Sequence, residues 1–319
     1  MKTTKWIIAA ICFILAGGII FTCIMSIANW DFTILDTTEY KTIKTNIDED
    51  FKSISIDANE ADIVFVKEDA KCAVSSQIRV QSQYTVVVED ETLKIKLKDS
   101  KKWYDQIAFF SFKEQRIKVS LPQDVYDNIA ISLSTGDIEI PSGFSFDNVD
   151  IKGSTGGVDS KALVSDGLKI TLSTGDININ NTTVGNMNIS VSTGDIHMQS
   201  VECHKEIEAN VSTGDIKLTD TSCGAFVSSG NTGDIKLVNV DAGEKFYIKR
   251  TTGDVTLDMC DADEIYIKTT TGDVEGSLLS EKVFVCNASS GDIDVPKTKS
   301  GGKCEIITNT GDIEIEIVK

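Results

Sequence analysis

From residue 131 to the C-terminus, apolar and polar positions alternate in short runs, and the runs recur. "LSTGDIEI" from Leu133 returns as "LSTGDINI" from Leu172, "VSTGDIHM" from Val191, "VSTGDIKL" from Val211 and "TTTGDVEG" from Thr269. The glycines of these turns are Gly136, Gly156, Gly175, Gly194, Gly214, Gly233, Gly253, Gly272, Gly291 and Gly311, in steps of 19 or 20 residues. Two positions after each glycine lies an apolar residue, from Ile138 and Val158 to Ile313. Seven and five positions before it lie pairs such as Leu168 and Ile170, Met187 and Ile189, Phe246 and Ile248. A spacing of two places such side chains on one face of a strand. No single coil can bury that face, but stacked coils make a continuous core. The pattern predicts an all-β fold, a parallel β-helix (β-solenoid) of about ten 19–20-residue coils. At ~4.8 Å per coil the rod is roughly 48 Å long.

The turn residues have separate tasks. Glycine supplies a backbone conformation that other residues resist, and a neighbouring Asp or Thr can bond the turn backbone. The pairs Gly136–Asp137, Gly175–Asp176, Gly194–Asp195, Gly214–Asp215, Gly233–Asp234 and Gly253–Asp254 are read as turn-formers. The aspartates point outward and form a column that continues through Asp273, Asp292 and Asp312 and is broken once, at Gly157. Like charges at such spacing repel by roughly 1 kcal/mol in water. Turn hydrogen bonds, counter-charges or bound cations must offset this.

The outward column three after each glycine changes along the rod. It holds His197, Lys217 and Lys236 in the middle, then Glu275, Asp294 and Glu314 toward the C-terminus. Asp273, Glu275, Asp292, Asp294, Asp312 and Glu314 make the best metal candidate, for Ca²⁺, which takes about six to eight oxygens. The alternatives are no cofactor and turn structure only. Another outward column carries Tyr247 and Tyr266 with Lys249 and Lys268 two residues on. This pattern fits either a ladder supporting neighbouring strands or a stacking platform for a sugar. Trp103 and Tyr104 open the densest aromatic patch outside the N-terminal span, read as an end cap or a partner-binding loop.

Cys203 and Cys223 both lie nine after their glycines, so they stack within reach of a disulfide. Such a bridge would close a loop of about 20 residues, worth ~3 kcal/mol; stacked free thiols are the other reading. Cys286 and Cys304 fall on inward columns, and no CxxC spacing indicates zinc.

At the N-terminus Lys2 and Lys5 precede an uncharged run from Trp6 to Ile27, and Asp31 and Asp36 follow. The run is long enough for a bilayer core of about 30 Å. The charge asymmetry puts the N-terminus in the cytoplasm and the bulk of the chain outside, as a single-pass cell-membrane protein; a cleaved signal peptide and secretion is the alternative. The expected organisation is a cytoplasmic tail at 1–5, an anchor at 6–28, a linker at 29–39, a β-rich part with cap at 40–130 and the repeat solenoid at 131–319. In the β-rich part, "FKSISIDANEADIVFV" reads as a worn coil with Ala61 in the glycine place, and "YTVVVEDETLKIKL" as a hairpin. The final "GDIEIEIVK" alternates charge with apolar residues, as a strand guarding the far end would. A net charge of −18 argues against nucleic acid as a partner, and two histidines leave little for His-based catalysis.

These motifs, from "FKSISIDANEADIVFV" through "RIKVSLPQDVYDNIAISLSTGDIEI" to the succeeding "STGDI" coils, resemble the bacterial putative-adhesin domain family of β-strand repeats, over roughly residues 40–319. The resemblance implies an exported β-solenoid, often membrane-tethered, sometimes associated with cell-envelope stress systems, with no established catalytic residues. The resulting expectation is a non-enzymatic binding module for a glycan, envelope component or protein. The alternatives are an accessory of an envelope stress response, and a β-helix carbohydrate-active enzyme. The enzyme would need two carboxylates in distinct environments, whereas these aspartates sit in equivalent turns.

Overall fold

The computed structural model describes residues 2–27, 29–30, 39–68, 71–98 and 115–318. Helix α1 spans Lys2–Ile27, and its stretch Ala10–Ile27 is long and apolar enough to cross a membrane. The described residues from 39 onward form one β-solenoid. Its first part contains β1 (Tyr40–Asn46), β2 (Ser53–Glu60), β3 (Asp62–Lys67), β4 (Ala73–Arg79), β5 (Gln83–Glu89), β6 (Thr92–Lys98) and β7 (Arg116–Leu121). The regular coils follow as β8 (Val125–Thr135), β9 (Ile138–Ile140), β10 (Ser145–Thr155), β11 (Val158–Ser160), β12 (Leu163–Thr174), β13 (Ile177–Thr193), β14 (Ile196–Thr213), β15 (Ile216–Thr232), β16 (Ile235–Thr252), β17 (Val255–Lys268) and β18 (Val274–Leu278). The chain ends with β19 (Lys282–Ser290), β20 (Ile293–Asp294), β21 (Gly302–Thr310) and β22 (Ile313–Ile317).

Each central coil bends at three places. The first is the repeat glycine: Gly214 has φ 137°, and a Cβ there would collide with the carbonyl of Gly194 one coil below. Only glycine meets both demands. The second lies six residues on, where Asn181, Ser200, Asp220, Asn239 and Met259 adopt φ of 49–54°. Asn and Asp tolerate this left-handed conformation better than most residues, and Met does not. The third absorbs the variation in coil length. Cys203 aligns with Cys223, but the next aligned pair is Glu206 with Ala225, so the longer coil carries its extra residue there. A one-residue insertion elsewhere would turn every inward side chain outward.

The inward columns predicted from the repeat form the core. Ile138, Ile177, Ile196, Ile216, Ile235, Val255 and Val274 are all buried, as are Met187, Ile207, Phe226, Phe246 and Ile265. Each such side chain contributes about 1.5–3 kcal/mol on full burial.

The ends depart from sequential stacking. β2 and β3 lie directly against β8 and β9, and their other edge is taken by β6 and β7, which come later in the chain. The worn coil is thus held between two later ones. Antiparallel strands finish this end: β5 pairs with β6, β4 with β7, and β1 with β4. Among the described residues these strands close this end; the aromatic patch read as a cap lies, but for Gln115, outside them. The predicted hairpin is β5–β6, closed by Asp90 and Glu91 with φ of 51° and 54°, the positive-φ pair a two-residue turn needs.

At the other end β21 pairs with β17 on one side and β19 on the other, and β22 sits between β18 and β20. The last coil in sequence is therefore the penultimate one in space. This corrects the expectation that "GDIEIEIVK" guards the end: β22 is interior, and the terminal edge belongs to β19 and β20. Phe284, Cys286 and Ala288 of β19 are accordingly only partly buried, though they fall on core columns.

Candidate functional site

The aspartate column is a hydrogen-bond ladder. Each Oδ1 accepts the backbone N–H of the corresponding residue one coil further: Asp137 from Gly157 at 2.7 Å, Asp176 from Asp195 at 2.9 Å, Asp195 from Asp215 at 2.8 Å. The series continues from Asp215 to Asp234, Asp234 to Asp254 and Asp254 to Asp273 at 2.8–2.9 Å. Asp62 of the worn coil starts it by accepting from Asp137 at 3.1 Å. Hydrogen bonds to an ionised acceptor are among the stronger kind, and they offset the repulsion within the column. Gly157 has a donor for the ladder and no carboxylate to extend it.

The six acidic residues proposed for Ca²⁺ divide between two columns. Asp273 accepts from Asp312 at 2.8 Å and Asp312 from Asp292 at 2.7 Å, so these three belong to the ladder. Glu275, Glu314 and Asp294 align on successive coils and line a separate groove of about 640 Å³. Among the described residues, no three His, Cys, Asp or Glu side chains converge as a metal ion requires.

Tyr247 and Tyr266 are brought together as the spacing implied. They are aligned partners on β16 and β17, with ring centroids 5.0 Å apart and planes 17° from parallel. Lys249 Nζ lies 4.7 Å from the Tyr247 centroid and 5.8 Å from that of Tyr266. Its pKa is raised, first by a hydrogen bond with Tyr247. Lys268 aligns with Lys249 on the next coil. Beside this pair runs a groove of about 500 Å³ bordered by Tyr266, Lys249, Lys268, Asn210, Ser229 and Arg250.

Arg250 was missed in the sequence. It is buried at 3% exposure, on an inward column where preceding coils place Val191, Val211 and Gly230. Its Nη1 donates to the Val211 carbonyl at 2.9 Å, two coils away, while Nε and Nη2 are buried without an acceptor. Burial pushes its pKa down, and Asp215 and Asp234 oppose that shift. An orphaned buried donor costs on the order of 1–3 kcal/mol. The available signal was a charged residue in an otherwise apolar or glycine column.

The Toastrack DUF4097 family model matches residues 51–225 and again 204–319, which together take in the whole solenoid from the worn coil onward. The chain belongs to the Toastrack family. Solved structures similar to it include a putative adhesin from Parabacteroides distasonis, 14% identical, TM-score 0.48, covering 87% of this chain and 98% of that one. A putative adhesin from Bacteroides fragilis is 18% identical with TM-score 0.38, over 87% and 97% of the two chains. A putative lipid binding protein from Parabacteroides distasonis is 15% identical with TM-score 0.44, over 88% and 98%. No curated protein sequence matches the chain.

In this Toastrack chain Cys203 and Cys223 are aligned neighbours, but all the cysteines are free thiols. Cys203 Sγ donates to the Glu206 carbonyl at 3.4 Å and lies 3.8 Å from the Gly185 carbonyl of the preceding coil. Burial pushes the Cys203 thiol pKa up and that of Cys223 up to about 12. Trp103 and Tyr104 lie outside the described residues. Gln115, at the end of that segment, is buried: its Nε2 donates to the Glu60 carbonyl at 2.9 Å and its Oε1 accepts from Arg79 N at 3.0 Å. Arg79 and Glu60 form a two-pronged ion pair at 2.7 and 3.1 Å beside it, fastening the cap to the worn coil.

Proposed function

We propose that this protein is a non-enzymatic binding module tethered by α1 at the outer face of a cell membrane. Its ligand, a glycan, another envelope component or a protein, is received on the face that carries Tyr247 and Tyr266. The observation that carries this reading is the stacked tyrosine pair with Lys249 and Lys268 at the border of a groove, on a chain of net charge −18. Such a site offers flat apolar surface and positive charge together, the combination that holds sugars and anionic polymers. The ladder supports the non-enzymatic part. Its carboxylates occupy equivalent turns and are engaged with backbone, whereas hydrolysis needs two with different environments.

Lys2 and Lys5 before the apolar helix and Asp31 and Asp36 after it favour a cytoplasmic N-terminus. Protease protection in intact cells, with N-terminal sequencing, separates an anchored chain from one cleaved and secreted. The binding role is tested by equilibrium binding of the full-length protein in detergent to isolated cell-wall glycan. The double variant Tyr247→Ala, Tyr266→Ala is expected to bind at least tenfold more weakly while staying folded, its melting temperature lowered by no more than about 2–4 °C for the lost cross-strand stacking. Equal binding by both proteins contradicts the assignment of this face.

A further inference from the structure

The groove beside the tyrosine pair contains no acidic side chain among the residues that line it, although the chain has 49 Asp and Glu. It gathers three cations instead: Lys249, Lys268 and Arg250. The first two are exposed, and surface lysines alone would mean little. Arg250 differs because it is buried, lines the groove, and holds two nitrogens that meet no acceptor. Gly230 makes room for it. A Cβ at Gly230 would collide with both Nη1 of Arg250 and the carbonyl of Val211. A second orphan, the buried hydroxyl of Ser228, lies two residues before that glycine. A guanidinium kept out of water wants a planar oxyanion, to which it can give two parallel hydrogen bonds. Asp215 and Asp234 favour its charge, but their Oδ1 atoms accept from the backbone N–H groups of Asp234 and Asp254 on the ladder instead.

We propose that this groove binds an acidic saccharide, a sugar chain bearing carboxylate or phosphate groups. The inference rests on the binding role proposed for the Tyr247–Tyr266 face and names its ligand class. A sugar ring packs on Tyr266, the tyrosine that borders the groove, Lys249 and Lys268 draw in the negative charge, and the Arg250 side chain turns from the Val211 carbonyl to pair with the oxyanion. Asn210 and Ser229, which share the groove, are placed for the sugar hydroxyls.

The test is titration calorimetry of the full-length protein in uncharged detergent with tetragalacturonate, with its fully methyl-esterified and hence neutral form, and with inorganic phosphate. The acid form is expected to bind at least tenfold more tightly than the ester, and its affinity to fall with salt. Arg250→Met is expected to lose at least tenfold in affinity for the acid form without lowering the melting temperature. Lys268→Gln, an exposed substitution that leaves the core alone, is expected to lose about threefold, one pair of surface charges. Equal binding of acid and ester overturns the acidic class while leaving the face a saccharide site. Phosphate binding as tightly as the tetramer overturns the saccharide half. Binding by none of the three overturns the proposal, and the cell-wall assay with the tyrosine variants then decides separately whether the face binds at all.

Discussion

The backbone N–H of Asp312 donates to Oδ1 of Asp273, 39 residues earlier, at 2.8 Å. In a strictly sequential stack its acceptor would be Asp292. Here Asp292 is instead the donor to Asp312, at 2.7 Å. The final coil has been threaded between its two predecessors, and β2–β3 is enclosed in a similar way at the other end. A terminal coil held on both sides has no free edge to peel from.

Coil order is tested by cross-linking. Lys268 and Ile307 are aligned neighbours, and Ile307 in turn aligns with Asn287. Cysteines at 268 and 307 should therefore join on mild oxidation, because aligned positions in adjacent strands are within disulfide reach. Cysteines at 268 and 287 should not. Linked peptides identified by mass spectrometry read the result, and a 268–287 link would restore the sequential order.

Met259 sits in the left-handed region with φ 53° and is 52% exposed, where the aligned corners of earlier coils use Asn, Ser and Asp. An ordinary side chain in that conformation costs roughly 1–2 kcal/mol. Met259→Asn should recover about 1 kcal/mol and raise the melting temperature by about 2–4 °C. Its backbone N–H keeps its bond to the Ser277 hydroxyl. A fall in melting temperature would refute the strain.

The buried thiols set an alkaline limit. Burial raises Cys72 and Cys260 from the ordinary 9.0 to about 11, and Cys223 and Cys304 to about 12. Above pH 9 the unfolded chain loses these protons while the folded one keeps them. Stability is therefore fully present below pH 9 and falls as pH rises from there toward 11–12. Urea midpoints measured from pH 8 to 11 should decline over that window. The buried thiols should also resist alkylation at pH 8 until the protein unfolds.

The acidic residues near the far end give a separate outcome. Because Asp273 and Asp312 already bond backbone, and no three acidic groups converge among the described residues, millimolar Ca²⁺ should leave the melting temperature where EDTA leaves it. A calcium-specific rise abolished by Asp294→Asn would place an ion in the Glu275–Glu314–Asp294 groove.

Much of this architecture is written in local pattern. The alternation that turns Ile138 inward and Asp137 outward, and the recurrence that aligns Tyr247 with Tyr266, follow from strand geometry at any coil. Coil order is not local. Every coil offers the same apolar columns, so Ile313 packs as well beside Val274 as beside Ile293, and the sequence does not rank those stackings. The second corner was partly legible in Asn181, Asp220 and Asn239, but Met259 disguises it. Arg250 was legible as a break in an apolar column, whereas its reach past Gly230 to Val211 needed the fold. Position beside the repeat glycine marks the aspartates as turn-formers within their own coil. Their partners proved to be backbone N–H groups one coil away, which spacing along the chain does not reveal.

The most direct test of the ladder is to compare Asp195→Asn with Asp195→Ala by thermal unfolding. Asp195 Oδ1 accepts the N–H of Asp215 at 2.8 Å. An asparagine keeps a carbonyl oxygen there and removes a like charge from the column, so it should melt within about 0.5 kcal/mol of the parent. Alanine leaves the donor to water and should cost about 1 kcal/mol. Asparagine and alanine equally destabilising would contradict the account, because the column would then depend on negative charge, as an ion site does, and not on the hydrogen bond.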